Sequence, residues 1–585
     1  MTRPVSLCVG AALILVAQVA AAQVPGWPSE RPPRPLTARD VKFPPYAVRT
    51  LTNGLQVIAV SHHEQPAVSL RLIVRAGGAQ DPAAKPGVAT MVAALLDQGT
   101  TTRTAEQIAS AIDSIGGALG TGSSRDLSSV SAVVMKDSFN LALDMVSDVA
   151  RNPAFAEEEL DRQRQQFQSG LKVSYDDPDY LAGVVFDRLV YGFHPYGRPD
   201  AGTPTSVAAI TRDDLVTFHK AWFGANNAIL AIVGDVSSDE AFAGAERAFG
   251  AWPRASNAAA PVGDLPPPTR RVVVIDRPGA VQTEIRVGHT ALPRKHKDYL
   301  ALDLTIKILG GEGGNRLHRV LRSERGLTYG ASADTNALKE GGDVVADTDT
   351  RSDSTGEVLR LIVDEFWKLQ RQRVQPRELA DAQAYLTGSF PLTIETPSAI
   401  ALQILNAVFY GLDLSELEDF RDRVNAVTVD DIQRVAKEYL HPDRLSIVLV
   451  GDASAFAKQL PGVGFEQFER IPLEELDLAL VGLRRPRTPV GPLKPAAFRS
   501  TGSPPVAADA RELILRAVRA KGGLEKLRSI RTVKAVSTTV IDMAGTRAEL
   551  PTTTSIRYPG SFRIEASTPE GPLVQVFTAG TFWVG

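Results

Sequence analysis

VAAITRDDLVTFHKAWFGANNAILAIVGD, residues 207–235, aligns without a gap on VNAVTVDDIQRVAKEYLHPDRLSIVLVGD, residues 424–452, at an offset of 217 residues. Nine positions are identical, and Ile210/Val427, Leu215/Ile432, Phe218/Val435, Trp222/Tyr439 and Phe223/Leu440 keep their apolar character. Each copy reads the same way. Thr211 or Thr428 is a good N-cap with acidic residues behind it in the first turn, a helix follows, and a β-branched run then ends in Gly-Asp. Solenoids repeat every ~20–50 residues, so this period marks two homologous domains instead.

The rest of the chain is consistent with that scale. With 585 residues, 44% of them hydrophobic, there is material for two or three cores. The formal charge of -3 and the dispersed basic residues give no footprint for nucleic acid. Arg3, the apolar run Val5–Val16 and Ala20-Ala21-Ala22 read as a secretory signal peptide cut near Ala22, which predicts an exported, periplasmic protein. The single cysteine, Cys8, lies inside that peptide, so the mature chain is expected to hold no disulfide. No later stretch is long and apolar enough for a membrane span.

The expected order of parts is a signal peptide (1–22), a Pro-rich arm (23–48), a first domain (49–254), a linker (255–269), a second domain (270–465), a Pro-rich linker (466–507) and a C-terminal region (508–585). Within the first domain, Leu51–Val60 and Val68–Ala76 read as a β-hairpin about a polar turn holding His62 and His63. Adjacent residues on a turn point apart, so this histidine pair reads as surface and not as a metal site. Pro86–Thr100 reads as a helix: Val88, Met91, Val92, Leu95 and Leu96 form its buried stripe, Gly99 its stop, and Thr90, Ala93, Ala94 and Asp97 the opposite stripe. His194, in the Pro- and Gly-rich run 192–199, reads as part of a rigid loop.

In the second domain, Gly310-Gly311-Glu312-Gly313-Gly314-Asn315 lacks the Lys-Ser/Thr of a phosphate-binding loop and reads as a connection. Arg316–Tyr329 reads as a helix with Leu317, Val320 and Leu321 inward, stopped at Gly326 and leading into a strand at Tyr329. Residues 508–530 give two short helices, and short alternating strands follow. This order loosely resembles the opening of periplasmic lipoprotein-carrier half-barrels, and the apolar end at Phe582-Trp583-Val584-Gly585 suggests a partial domain.

A β-hairpin, a Gly-led helix ending in Gly-Thr, and a duplicated helix–strand unit ending in Gly-Asp together resemble the pitrilysin/insulinase family of zinc peptidases, the inverzincins. The resemblance covers roughly residues 45–465 and implies an α+β fold: two homologous domains in tandem, each an antiparallel-rich sheet with helices packed on it. Active members carry H-x-x-E-H on this helix, two histidines for zinc and a glutamate working on the bound water. Aligned from Gly87 to Gly99-Thr100, those positions fall on Thr90, Ala93 and Ala94. The family's third ligand, a glutamate in a later helix, is also missing, since the run RQRQQFQSGLKVSY between Asp161 and Asp176 holds no carboxylate. Two methyl groups and one hydroxyl cannot replace those ligands, so no zinc is expected on this chain.

The pattern L-R-x-x-x-G-L-x-Y resembles the family's substrate-holding motif, whose arginine and tyrosine fall on Arg322 and Tyr329. A guanidinium can hold a peptide carbonyl or carboxylate, and a phenol can donate to an oxyanion. Some members of the family pair a zinc-bearing chain with one carrying only the arginine and tyrosine. The expectation is therefore a non-zinc, substrate-holding subunit whose homologous two-domain partner supplies H-x-x-E-H and the zinc, acting on peptides. A function of a different class also fits: an envelope binding or scaffolding protein without catalysis, its C-terminal region holding an apolar ligand.

Overall fold

The computed structural model describes residues 42–256, 263–311, 314–485, 518–519, 524–543, 546–558, 561–568, 571–578 and 581–584. The expected signal peptide, Cys8, residues 23–41 of the arm and 486–507 of the second linker lie outside the described residues. The chain divides into two compact units, 1–487 and 488–585.

The first unit is built on two six-stranded sheets. The first orders its strands β1 (Tyr46–Thr50), β2 (Gln56–Ser61), β6 (Ala228–Gly234), β3 (Ala67–Val74), β5 (Ser128–Met135) and β4 (Ala118–Ser123). The second orders β12 (Glu469–Pro472), β7 (Arg271–Asp276), β11 (Ser446–Gly451), β8 (Gln282–Ala291), β10 (Gly342–Arg351) and β9 (Ala331–Ala337). The strands that end the repeat, β6 and β11, take the same inner position. Each is parallel to one neighbour (β2 or β7) and antiparallel to the other (β3 or β8). Only the outermost strand differs: β1 comes from ahead of the domain and is antiparallel, whereas β12 comes from behind it and is parallel.

Five of the helices cover these sheets or carry the site positions: α1 (Val88–Leu95), α2 (Pro178–Tyr191), α3 (Arg212–Trp222), α4 (Pro397–Tyr410) and α5 (Val429–Tyr439). Helices α3 and α5 begin the repeat. Thr211 and Thr428 each cap theirs, with Asp214 and Asp431 completing a reciprocal capping box. Both repeat strands are buried at every residue, which takes cover on two faces. One face packs on helices of its own half: Leu230 and Ile232 lie in the first core, Ile447 and Leu449 in the second.

The other face is covered by a helix lent from the opposite half. Ile400, Ala401, Ile404 and Leu405 of α4 pack on Ile58, Ile73, Ile229 and Val233 of the first sheet. Leu181, Val185, Phe186 and Leu189 of α2 pack on Val273, Ile275, Val448 and Val450 of the second. Each exchanged helix opens with proline at its first turn behind a capping side chain, Asp177 or Thr396. No single helix among the described residues is long and apolar enough to cross a membrane; the bent pair that includes Pro397–Tyr410 passes by length and composition, and its apolar side is the one buried on the sheet.

Three expectations are corrected. β2 and β3 do not form a hairpin, because the fully apolar β6 lies between them; β2 pairs instead with β1 across the turn at Asn53-Gly54. Residues 466–485 are not linker: β12 extends the second sheet, and Ile471, Leu476, Leu478 and Leu483 are buried against Val273 and Ile275. Tyr46–Val48 belong to β1 and not to an arm.

The second unit holds a five-stranded antiparallel sheet in sequence order, β13 (Thr532–Met543), β14 (Thr546–Arg557), β15 (Ser561–Thr568), β16 (Gly571–Thr578) and β17 (Thr581–Val584), preceded by a helix at Leu524–Ser529. The whole is an α+β protein, with two homologous sheet-and-helix domains in tandem followed by a helix-and-antiparallel-sheet region.

Candidate functional site

Helix α1 starts at Gly87, whose φ of +101° suits glycine, and whose Cβ, were one present, would lie 3.1 Å from Gly202 Cα. The buried Asp81 carboxylate accepts from the backbone N–H groups of Gly87 and Ala89 at 2.6 and 2.7 Å, satisfying two donors of the first turn. Burial nevertheless pushes Asp81 up to about 7, against the pull of those two hydrogen bonds. Thr90 donates its hydroxyl to the Asp200 carbonyl at 2.7 Å, which fixes it as a structural tie. Ala94 is half-buried, and Ala93, placed by periodicity on the outward stripe, is instead 1% exposed. Helices Glu157–Ser174 and α3, together with β4, pack on α1, so its outward face is small. Ala93 and Ala94 carry no atom that could bind a metal, and the Thr90 hydroxyl is already committed. Among the described residues, no group of three or more His, Cys, Asp or Glu could hold a metal ion. The residues present do not fit zinc.

The arginine motif is better preserved. Asn315 accepts from the His318 N–H at 2.8 Å and opens a wide, π-type turn over His318–Ser323, where a regular helix was expected. Leu317, Val320 and Leu321 are buried, as the spacing predicts. Gly326 ends the segment at φ +61°, and the Leu327 N–H returns to the Leu321 carbonyl at 2.8 Å, a glycine C-cap closure. The next strand begins at Ala331, two residues after Tyr329.

Four arginines recur at every third position here, and their partners separate them. Arg316 makes a two-pronged pair with Glu378 at 2.7 and 2.8 Å, Arg319 faces Glu324 at 3.6 Å, and Arg325 faces Glu357 at 2.7 Å. Arg322 alone of the four has no carboxylate partner among the described residues. Its guanidinium lies 4.7 Å from the centre of the Tyr329 ring and 3.5 Å from His318 Nε2. Tyr329 is 83% exposed, so it is not a packing residue, and its hydroxyl has no partner among the described residues. An unpaired guanidinium stacked on an exposed phenol offers hydrogen-bond donors to an incoming oxygen.

Beside this pair lies a cleft of about 810 Å³, lined by His318, Ser323, Gly330 and Ala331 next to the motif. Glu284 of β8, Asp334 of β9, and Asp347 and Asp349 of β10 line its floor on one face of the sheet. Burial, and then Asp179, push Glu284 up to about 8, with Arg286 pulling the other way. Sequence reading missed this acidic floor, although the alternation of Asp343, Val345, Asp347 and Asp349 along one strand was a usable signal.

The histidines singled out in the sequence lie apart from this cleft's lining. His194 accepts from the Tyr196 N–H at 3.2 Å, and its other ring nitrogen lies 3.3 Å from the Gly263 carbonyl. His63 pairs with Asp235 at 2.6 Å, while His62 lies 3.9 Å from Glu64.

The profile described as Insulinase (Peptidase family M16) matches residues 56–197, and that described as Peptidase M16 inactive domain matches residues 209–386. An uncharacterized zinc protease of Mycobacterium leprae is 26% identical over 397 residues, 67% of this chain and 88% of its own length. The uncharacterized zinc protease YmxG of Bacillus subtilis is 22% identical over 395 residues, 67% of this chain and 95% of its own. Among solved structures, a peptidase M16 inactive domain from Pseudomonas fluorescens superposes with a TM-score of 0.66 at 30% identity, covering 69% of this chain and 98% of that one. A protease from Helicobacter pylori shares the fold, with a TM-score of 0.66 at 22% identity over 70% of this chain and 99% of that one. With matched profiles in both halves and a relative covered almost end to end, the chain belongs to peptidase family M16, the insulinase family.

Proposed function

We propose that this protein is the substrate-holding, non-zinc subunit of an exported, periplasmic heterodimeric metalloendopeptidase. A homologous two-domain partner supplies H-x-x-E-H, the zinc and the attacking water. The observation that carries this reading is the contrast between the two halves: alanines and a tied threonine at the metal positions, against one arginine left unpaired among four and stacked on an exposed tyrosine. In this division of labour Arg322 grips a peptide carbonyl or carboxylate, and Tyr329 donates to oxygen as charge develops on it.

The test is co-purification of this chain with a zinc-bearing M16 homologue from the same organism, followed by cleavage of a peptide library. Arg322→Ala and Tyr329→Phe are expected to leave the complex intact and to lower kcat/KM by about 10²-fold or more, the range for losing one oxyanion donor. Unchanged cleavage by both variants would remove the substrate-holding role.

A further inference from the structure

A second pocket, of about 550 Å³, shares no lining residue with the cleft beside Arg322. It lies between the end of α2 with the loop after it and the segment Leu473–Arg485, which follows β12. Its size is that of a small-molecule site. Ala84, Pro86, Phe193, Pro204, Leu473 and Leu476 make much of its wall apolar.

One polar group in the wall stands out. Arg188 is 6% exposed and forms no ion pair with a carboxylate among the described residues. Its Nε donates to the Leu478 carbonyl at 3.0 Å, its guanidinium stacks 3.7 Å from the Phe193 ring centre, and its Nη2 is buried without a hydrogen-bond partner among the described residues. The other two arginines of the lining are occupied: Arg198 donates to the Asp81 carbonyl at 3.0 Å, and Arg485 lies 3.6 Å from Asp477. Burial, and then Arg271, lower the pKa of Arg188, but a guanidinium stays protonated in proteins. A buried cation without a counter-ion is costly, and an anion from outside the chain would remove that cost.

The surroundings narrow the anion. Glu474 and Asp477 also line the pocket, which disfavours a doubly charged group such as phosphate. One guanidinium fork matches one carboxylate. The apolar wall suits an apolar body behind it, and Phe193, 59% exposed and lying on the guanidinium, supplies a flat cover. We infer that this pocket binds a small carboxylate with an apolar body, held by Arg188. A free fatty acid and the C-terminal residue of a peptide share that chemistry. The inference does not depend on the role proposed for Arg322 and Tyr329.

The test is calorimetric titration of the full chain with decanoate and with N-acetyl-leucine, each against a neutral counterpart, decanol and N-acetyl-leucinamide. Saturable binding at one site is expected for at least one carboxylate, weaker by about 10- to 100-fold for its neutral counterpart, as for loss of a charged hydrogen bond. Tightest binding of decanoate identifies a fatty acid as the ligand, and tightest binding of N-acetyl-leucine a peptide terminus. Arg188→Met should erase the preference for the carboxylate and retain the neutral ligand. Ala84→Trp, which replaces an exposed methyl in the wall, should abolish binding of all four probes without lowering Tm. If Arg188→Met does not fold, Ala84→Trp decides alone. No saturable binding of either carboxylate, or undiminished binding in Ala84→Trp, would overturn the inference.

Discussion

Tyr191, at the end of α2, donates its hydroxyl to the Asp343 carboxylate of β10 across 2.6 Å, and both residues are buried. The bond ties the first half to the second at the point where α2 crosses over. Asn336 donates to the other Asp343 oxygen at 2.9 Å. Tyr191→Phe should therefore destabilise the first unit by about 1–3 kcal/mol in urea unfolding, the cost of leaving a buried acceptor short of its donor. Burial, and then Asp187, hold Asp343 up to about 6. An acid raised from about 3.9 binds more protons folded than unfolded, so its contribution to stability falls as pH rises from about 4 to about 6. Asp343→Asn should flatten that part of the stability curve.

The exchange of α2 and α4 makes each half incomplete without the other. Ile404, fully buried on the first sheet, should cost about 2–5 kcal/mol when changed to Ala. More tellingly, the two homologous halves should unfold in one calorimetric transition. A fragment ending at residue 256 would expose Ile58, Ile73, Ile229 and Val233 and should bind a hydrophobic dye or aggregate.

Much of this was legible in the sequence, and the rest was not for a definable reason. The Thr caps and β-branched runs of the repeat are local signals, and they placed α3, α5, β6 and β11 correctly. Strand order is not local. β6 inserts between β2 and β3 from far along the chain, so the apparent hairpin could not be excluded by periodicity. Ala93 looked outward by helical spacing but is covered by other helices. The stretch Leu181–Val190, apolar but for Asp187 and Arg188, did carry a hint that its helix is enclosed on several sides. At the site, Arg322 and Tyr329 were found by resemblance, but the pairing of the three neighbouring arginines, which sets Arg322 apart, needed coordinates.

Arg316 and Arg322, six residues apart, should respond oppositely to removal. Arg316 is 8% exposed, grips Glu378 and lies 3.9 Å from the buried Glu365. Arg316→Ala should cost about 3–5 kcal/mol, as for stranding one side of a buried ion pair. Arg322→Ala, on the surface and unpaired, should change stability by no more than about 0.5 kcal/mol. Thermal unfolding of the two variants side by side checks this contrast.

Glu284 on the cleft floor gives a second pH signature. Its folded pKa of about 8 lies above the unfolded value of about 4.3, so its ionisation costs stability progressively as pH rises between the two. Glu284→Gln should lose less stability than the parent between pH 5 and pH 8. Equal losses in the two proteins would mean the floor is better solvated than its geometry implies.

Peptide hydrolysis by the isolated chain in saturating zinc, compared with the same chain mixed with a zinc-bearing M16 homologue, separates a subunit that needs a partner from a self-sufficient peptidase. The chain alone is expected to show no turnover and no stoichiometric zinc, with hydrolysis appearing on mixing and depending on Arg322. Turnover by the isolated chain, with one zinc bound per molecule, would contradict this.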